Sequence, residues 1–309
     1  MLAGVRAYQA HDHVRQLAPM PPLARLGGVT LRDYGGDGTP LMVVPSLINP
    51  PHVLDLAEDN SLLRWLATQG LRPLLVDWGS PGADERTLDA AGYVSERLLP
   101  LIAGLPVPPL MLGYCLGGTL AIAAAALAPV RRLALIAAPW RFAAYDPAAR
   151  DGIAALWASV GPAATTLGCM PVELLQPAFW QLDPAALVAK YEQFPRLDAA
   201  AAAAYAVLED WANTGPPLAL GVARDLFAWF ADDLPGRGEW PVAGRQIDPE
   251  QLGCAVLDIV STRDRIVPAA AACNSGDRLE LGLGHVGMVV GGRARAQLWE
   301  PLAAWLNAG

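Results

Sequence analysis

Lysine is nearly missing from this 309-residue chain: Lys190 stands alone among 22 basic residues, and 30 acidic ones leave a net charge of −8. Without a basic patch or lysine-rich tail, nucleic acid is not an expected partner. Cysteine is scarce too. Cys115, Cys169, Cys254 and Cys273 form no CxxC pair, and the 4 histidines are not spaced to join them around zinc, so no disulfide framework, metal or cofactor is expected. They read as reduced thiols of a cytosolic protein. All apolar runs fall short of the roughly 18 residues that span a bilayer, which leaves no transmembrane candidate. The N-terminal stretch MLAGVRAYQAHDHVRQL is broken by His11, Asp12, His13 and Arg15 and lacks the apolar core of a secretory signal, so a cytoplasmic location is expected.

What the chain has in quantity is hydrophobicity: 53% of residues are hydrophobic and 17% charged, with a mean hydropathy of +0.30. With no spanning segment, this points to a ligand tunnel, a dimer face or attachment to an apolar phase, or reflects alanine content alone. The length suits one large core with an inserted subdomain.

Short apolar runs alternate with longer amphipathic segments, which predicts an α/β fold with a mainly parallel central sheet covered by helices. Strands are predicted at 41–47, 73–78, 110–114, 133–138, 255–261 and 278–283, and helices at 60–69, 88–103, 116–127, 269–273 and 293–307. Asn60 or Ser61 can cap the first helix. The stretch GGVTLRDYGGDG before residue 41 reads as an edge hairpin or short strands. After Pro139-Trp140 the alternation stops, and residues 141–250 carry helical patterns without a convincing strand. This reads as a helical cap, 141–250, inserted between two parts of the core, 1–140 and 251–309, and leaving the sheet at its carboxyl edge. The alanine run at 199–204 reads as helix.

Residues 110–124, LMLGYCLGGTLAIAA, are an apolar run, a glycine-flanked turn and a helical run: a nucleophile elbow with cysteine in the serine position. Such a turn holds its central residue strained and exposed at the sheet edge, and it needs glycines two before and two after, here Gly113 and Gly117. A thiol at a helix N-terminus is also favoured as thiolate. The string alone could also be a buried, glycine-flanked core cysteine, the lesser of the two readings.

A cysteine nucleophile needs a base, and the base an acid to orient it. Asp264 in STRDRIVP follows one predicted strand, and His285 in LGLGHVGMVVGG follows the next, in the chain order nucleophile, acid, histidine of α/β-hydrolases. Either residue alone would read as a turn or surface residue. Asp258 and Asp277 compete as acids but lie within or at the start of strands. His11 and His13 sit in an N-terminal arm, and His52 comes too early in the chain for the base, although it could line a pocket. The oxyanion donors would be the N–H of Leu116 and that of Leu47 or Ile48 in VVPSLINPP.

These segments resemble the polyhydroxyalkanoate (PHA) synthase family, α/β-hydrolase-fold acyltransferases. The resemblance runs through VPSLINPPHVLDLAEDNSLLRWLATQGLRPLLVDWGSPG, GYCLGGT, LEDWANTGPPL, STRDRIVP and GHVGMVVGGRA, in order, over most of residues 41–309. Ser46 and Pro50 depart from the family pattern. The resemblance implies polymerisation of 3-hydroxyacyl-CoA thioesters, with Cys115 as acyl-accepting nucleophile, Asp264 as acidic partner and His285 as general base. It implies acyl-CoA as substrate and leaves open attachment to a polyester granule surface, and the chain's hydrophobicity leaves open a homodimer. Two other readings stay open: a thioesterase, esterase or depolymerase using the same three residues, and a non-catalytic partner subunit that keeps the fold.

Overall fold

The structure of the protein, a computed structural model, describes residues 1–12 and 15–308; His13 lies outside them. Eight strands make one sheet: β1 (Pro22–Leu26), β2 (Val29–Asp33), β3 (Thr39–Val44), β4 (Leu71–Asp77), β5 (Leu110–Tyr114), β6 (Arg132–Ile136), β7 (Ala255–Ser261) and β8 (Asp277–Leu281). Their spatial order is β1-β2-β4-β3-β5-β6-β7-β8. β2 runs antiparallel to β1 and β4, and every later pairing is parallel. The burial of the strands follows that order. β3, β5 and β6 are buried almost without interruption, as strands covered on both faces must be. β1 alternates with solvent, and β8 closes the other edge with Asp277, Arg278 and Glu280, charges that discourage further strand pairing.

Ser61 caps the helix Leu62–Ala67, its hydroxyl accepting the Arg64 N–H at 3.1 Å, while Asn60 donates instead to the Val290 carbonyl. The helix predicted at 88–103 starts at Ala90 behind an Asp89 cap and passes through a π-helical turn, Val94–Leu98, before ending at Ala103. The one predicted for 269–273 is only a 3₁₀ turn, Ala269–Ala271. Five residues after a proline are too few to nucleate an α-helix, and the Ala271 carbonyl is taken by the N–H groups of Trp140 and Arg141.

Between β6 and β7 the chain forms the helices Pro147–Leu167, Val172–Leu182, Pro184–Gln193, Ala199–Asn213 and Leu220–Asp232. Asp146, Asp183 and Asp198 cap three of them. Contrary to the sequence expectation of no strand there, two ladders of two residues occur, Cys169–Met170 with Leu218–Ala219 and Pro241–Val242 with Arg245–Gln246. They are too short to carry an apolar alternation that a sequence could display.

The first helix, Leu2–Gln9, packs on this helical region. Its buried Gly4 lies so near the Tyr191 carbonyl that a Cβ would collide with it, and Tyr8 donates to Asp210. Around Tyr8 gather the rings of Tyr191, Phe194 and Tyr205. No helix among the described residues is long and apolar enough to cross a membrane.

Candidate active site

The turn from β5 into the helix Leu116–Leu127 sets Cys115 at φ 53°, ψ −133°, a left-handed conformation that costs a non-glycine residue about 1–3 kcal/mol. The Cys115 N–H donates to the Ile136 carbonyl at 2.9 Å, and its carbonyl accepts from the Gly118 N–H at 2.8 Å. The flanking glycines are there because nothing larger fits. A Cβ on Gly113 would strike Gly118, one on Gly117 would strike the carbonyls of Val44 and Pro45, and one on Gly118 would strike Ala138. The following helix is buried from Leu116 to Ala125, and its small side chains let it sit close against β5. Cys115 remains half-buried.

Asp264 follows β7 and His285 follows β8, so adjacent parallel strands deliver both to one sheet edge. Asp264 Oδ1 accepts the N–H groups of Ile266 and Val267 at 2.8 and 2.9 Å. That leaves Oδ2 for His285, whose Nδ1 donates to it at 2.6 Å. With Nδ1 engaged, Nε2 is the nitrogen left for a thiol. Burial alone would lower the His285 pKa, but the negative charges of Cys115 and Asp264, with the hydrogen bonds they offer, raise it to about 10. Asp264 and His285 are thus joined by a hydrogen bond, with Cys115 near enough to act on the imidazole.

The rival acids serve elsewhere. Asp258 is buried within β7, where its Oδ2 accepts the Asn274 N–H at 3.0 Å and burial raises its pKa. Asp277 accepts the indole N–H of Trp305 at the surface. Burial, then the nearby Arg15, pushes His52 down to about 4 and keeps it neutral. His11 lies against the ring of Phe194. Burial and Asp258 push the Cys273 thiol up to about 12, and burial also raises that of Cys254.

On the oxyanion side, the Ile48 N–H is engaged with Ser46 Oγ at 3.2 Å, while no acceptor for the Leu47 N–H is found among the described residues. Leu116 opens its helix with an N–H that has no partner within the helix. The loop after β3 is pinned by Trp78, donating to the Pro45 carbonyl at 3.0 Å, and by Trp211, donating to that of Pro50 at 2.7 Å. Sequence reasoning missed two aromatic neighbours. Tyr114 stacks on the His285 imidazole. Tyr145 is buried against Phe142 and Phe230, near enough to Cys115 and Asp264 that their charges add to burial in raising its pKa. Each lies in a segment whose aromatic residue looks, by pattern, like ordinary core. Among the described residues no cluster of three or more His, Cys, Asp or Glu could hold a metal ion.

No protein-family model matches the chain. Curated relatives do. The poly(3-hydroxyalkanoate) polymerase subunit PhaC of Haloferax mediterranei is 29% identical over 86% of this chain and 58% of that protein. The PhaC of Haloarcula marismortui is 26% identical over 92% of this chain and 64% of its own length. That of Allochromatium vinosum is 29% identical over 87% and 80%. The chain thus spans less than two-thirds of the Haloferax and Haloarcula proteins. Among solved structures, a bromoperoxidase from Bacillus anthracis superposes with TM-score 0.56 at 14% identity, over 90% of this chain and 95% of that one. A thermophilic esterase from Thermogutta terrifontis gives 0.53 at 16%, over 94% and 98%. The solved structures establish an α/β-hydrolase fold, and over most of its length the chain is similar in sequence, at 26–29% identity, to PhaC subunits of poly(3-hydroxyalkanoate) polymerases.

Proposed function

We propose that this protein is an acyltransferase of the PHA synthase type, which takes 3-hydroxyacyl-CoA thioesters through a covalent acyl-Cys115. The observation that carries the reading is the strained Cys115 elbow beside a His285–Asp264 pair at 2.6 Å. His285 Nε2 takes the thiol proton, and the thiolate attacks the thioester carbonyl. The N–H groups of Leu116 and Leu47 receive the oxyanion; Ile48 is the poorer candidate because its N–H is already engaged. Collapse breaks the bond to CoA sulfur, which leaves with the proton from His285. In the second half, the 3-hydroxyl of another acyl group gives its proton to His285 and attacks acyl-Cys115. An ester forms and the thiol is restored.

The choice of sulfur suits transfer. Exchanging one thioester for another costs little, and the acyl-cysteine stays reactive toward an alcohol when water is kept out. Residues 141–250 serve in this reading as the cap, with 1–140 and 251–309 as the two parts of the catalytic core. Contacts at the site support it: Trp211 holds the Pro50 carbonyl, and Arg265, next to Asp264, pairs with Asp183. Incubation with 3-hydroxybutyryl-CoA, with free CoA, free acid and ester product measured together, tests the proposal. CoA release with an ester-linked oligomer is expected. Stoichiometric free hydroxy acid without ester would make the protein a hydrolase.

A further inference from the structure

The loop that carries His285 is tied by its own backbone only on the far side, where the Gly284 and Val286 carbonyls accept the N–H groups of Met288 and Val289 in the turn that follows. Gly282, Gly284 and Gly287 surround the histidine, and a Cβ on any of them would meet open space. Close packing does not demand them, so their effect is to leave this backbone loosely determined. Three attachments fix it from outside. Asp264 holds the Nδ1 edge of the ring. Ser261 donates its hydroxyl to the Leu283 carbonyl. The third is Tyr114, the last residue of β5, directly before Cys115. Its ring lies against the imidazole with centroids 5.2 Å apart and planes at 28°, and its hydroxyl donates to the backbone carbonyl of His285 at 3.4 Å.

An imidazole held at one nitrogen can still roll about that hydrogen bond and tip its far nitrogen away from its target. A ring packed on its face removes that freedom. From this juxtaposition we infer that Tyr114 is the positioning residue for the base, its ring setting the plane of the His285 imidazole and its hydroxyl anchoring the His285 loop. The inference rests on Cys115 and His285 being nucleophile and base. Tyr114 is suited to the task because it is 2% exposed and consecutive with Cys115, so any movement of the elbow carries thiol and ring together. Burial, then the charges of Cys115 and Asp264, holds its pKa well above the ordinary phenol value, and the hydroxyl stays a donor. Cys115 and Asp264 act on the imidazole by charge and hydrogen bond, Tyr114 lies on its face, and Tyr145, uncharged and buried, feels the same two charges.

A tyrosine that merely filled space would be exchangeable at the expense of stability alone. Tyr114→Leu and Tyr114→Phe, made in the full chain, separate the two roles. Alkylation of Cys115 by iodoacetamide is followed by mass spectrometry of its peptide from about pH 5 to about pH 9, a reading of thiolate assistance that needs no substrate. CoA release from 3-hydroxybutyryl-CoA supplies kcat and KM. For Tyr114→Leu, kcat should fall roughly 10- to 100-fold with KM within about twofold, the cost of a base about 1 Å out of place. Its Cys115 alkylation should move to higher pH. Tyr114→Phe should restore the alkylation profile and bring kcat to within about fivefold of the parent, the loss of one hydrogen bond. A folded leucine variant with the parent's alkylation profile overturns the inference. If leucine prevents folding, Tyr114→Met replaces it under the same criterion. Assisted alkylation without CoA release would instead defeat the acyltransferase reading, and the alkylation profiles would still decide the role of Tyr114.

Discussion

The indole of Trp211 donates its N–H to the Pro50 carbonyl at 2.7 Å, joining the helix Ala199–Asn213 to the loop that follows β3. Asn49 reinforces the contact by reaching back to the carbonyls of Trp211 and Ala212. The loop that offers the Leu47 N–H is therefore held partly by residues far along the chain. Trp211→Phe should keep the packing but remove one hydrogen bond, about 1 kcal/mol. Hydrogen exchange at 46–51 should quicken while that at 110–127 stays unchanged. Equal exchange in both variants would mean that the loop holds itself.

Cys115→Ala should abolish CoA release and leave the melting transition nearly unmoved, since a half-buried thiol leaves no large void. Cys169→Ala, Cys254→Ala and Cys273→Ala should keep activity, and peptide mass spectrometry of the acylated enzyme should find the acyl group on Cys115. Label on Cys273, or on Cys254, would contradict the assignment.

The left-handed backbone at Cys115 can be tested without substrate. Glycine elsewhere in a helix or strand destabilises by about 0.5–1 kcal/mol relative to alanine, but at φ 53° it relieves strain that alanine keeps. Cys115→Gly should melt at or above Cys115→Ala in urea. A glycine variant less stable by a full kcal/mol would show the elbow to be unstrained.

His285 and Asp264 should differ in their effect on turnover. The histidine moves protons in both half-reactions, whereas the carboxylate orients and stabilises it, so His285→Ala should lose more than Asp264→Asn. Losses of roughly 100-fold or more are expected for both. Near-normal kcat in His285→Ala would mean that another base is at work.

Stability should also follow the charge of His285. Its pKa in the folded protein, about 10, lies above the ordinary 6.5, so its contribution is complete below pH 6.5 and is lost as pH rises through 10. Urea midpoints measured across that window should fall more steeply for the parent than for His285→Gln. Parallel curves would show that the imidazolium is not favoured by folding.

Much of the central sheet could be read from the chain because its strands are continuous apolar runs and the helix Leu62–Ala67 begins at a recognisable cap, Ser61. The positions of Asp264 and His285 at consecutive strand ends were legible for the same reason: topology, not local chemistry, carries them to one edge. The roles of Leu47 and Ile48 were not separable, since only the folded turn engages the Ile48 N–H with Ser46. Tyr114 was hidden in an apolar strand, where an aromatic ring looks like core whichever neighbour it packs on. The docking of Leu2–Gln9 on Tyr191 left no signal either, because a contact across that much chain has no period to detect.

That docking has a consequence for assembly. Eight residues are too few to hold a helix in water, and the surface that stabilises Leu2–Gln9 comes from Tyr191, Phe194 and Tyr205. Leu2–Gln9 therefore cannot settle as a helix until the segment carrying Tyr191, Phe194 and Tyr205 is available to receive it. In refolding, the amides around Gly4 should gain protection after those of the elbow helix, because their helix waits on a surface supplied by residues far along the chain.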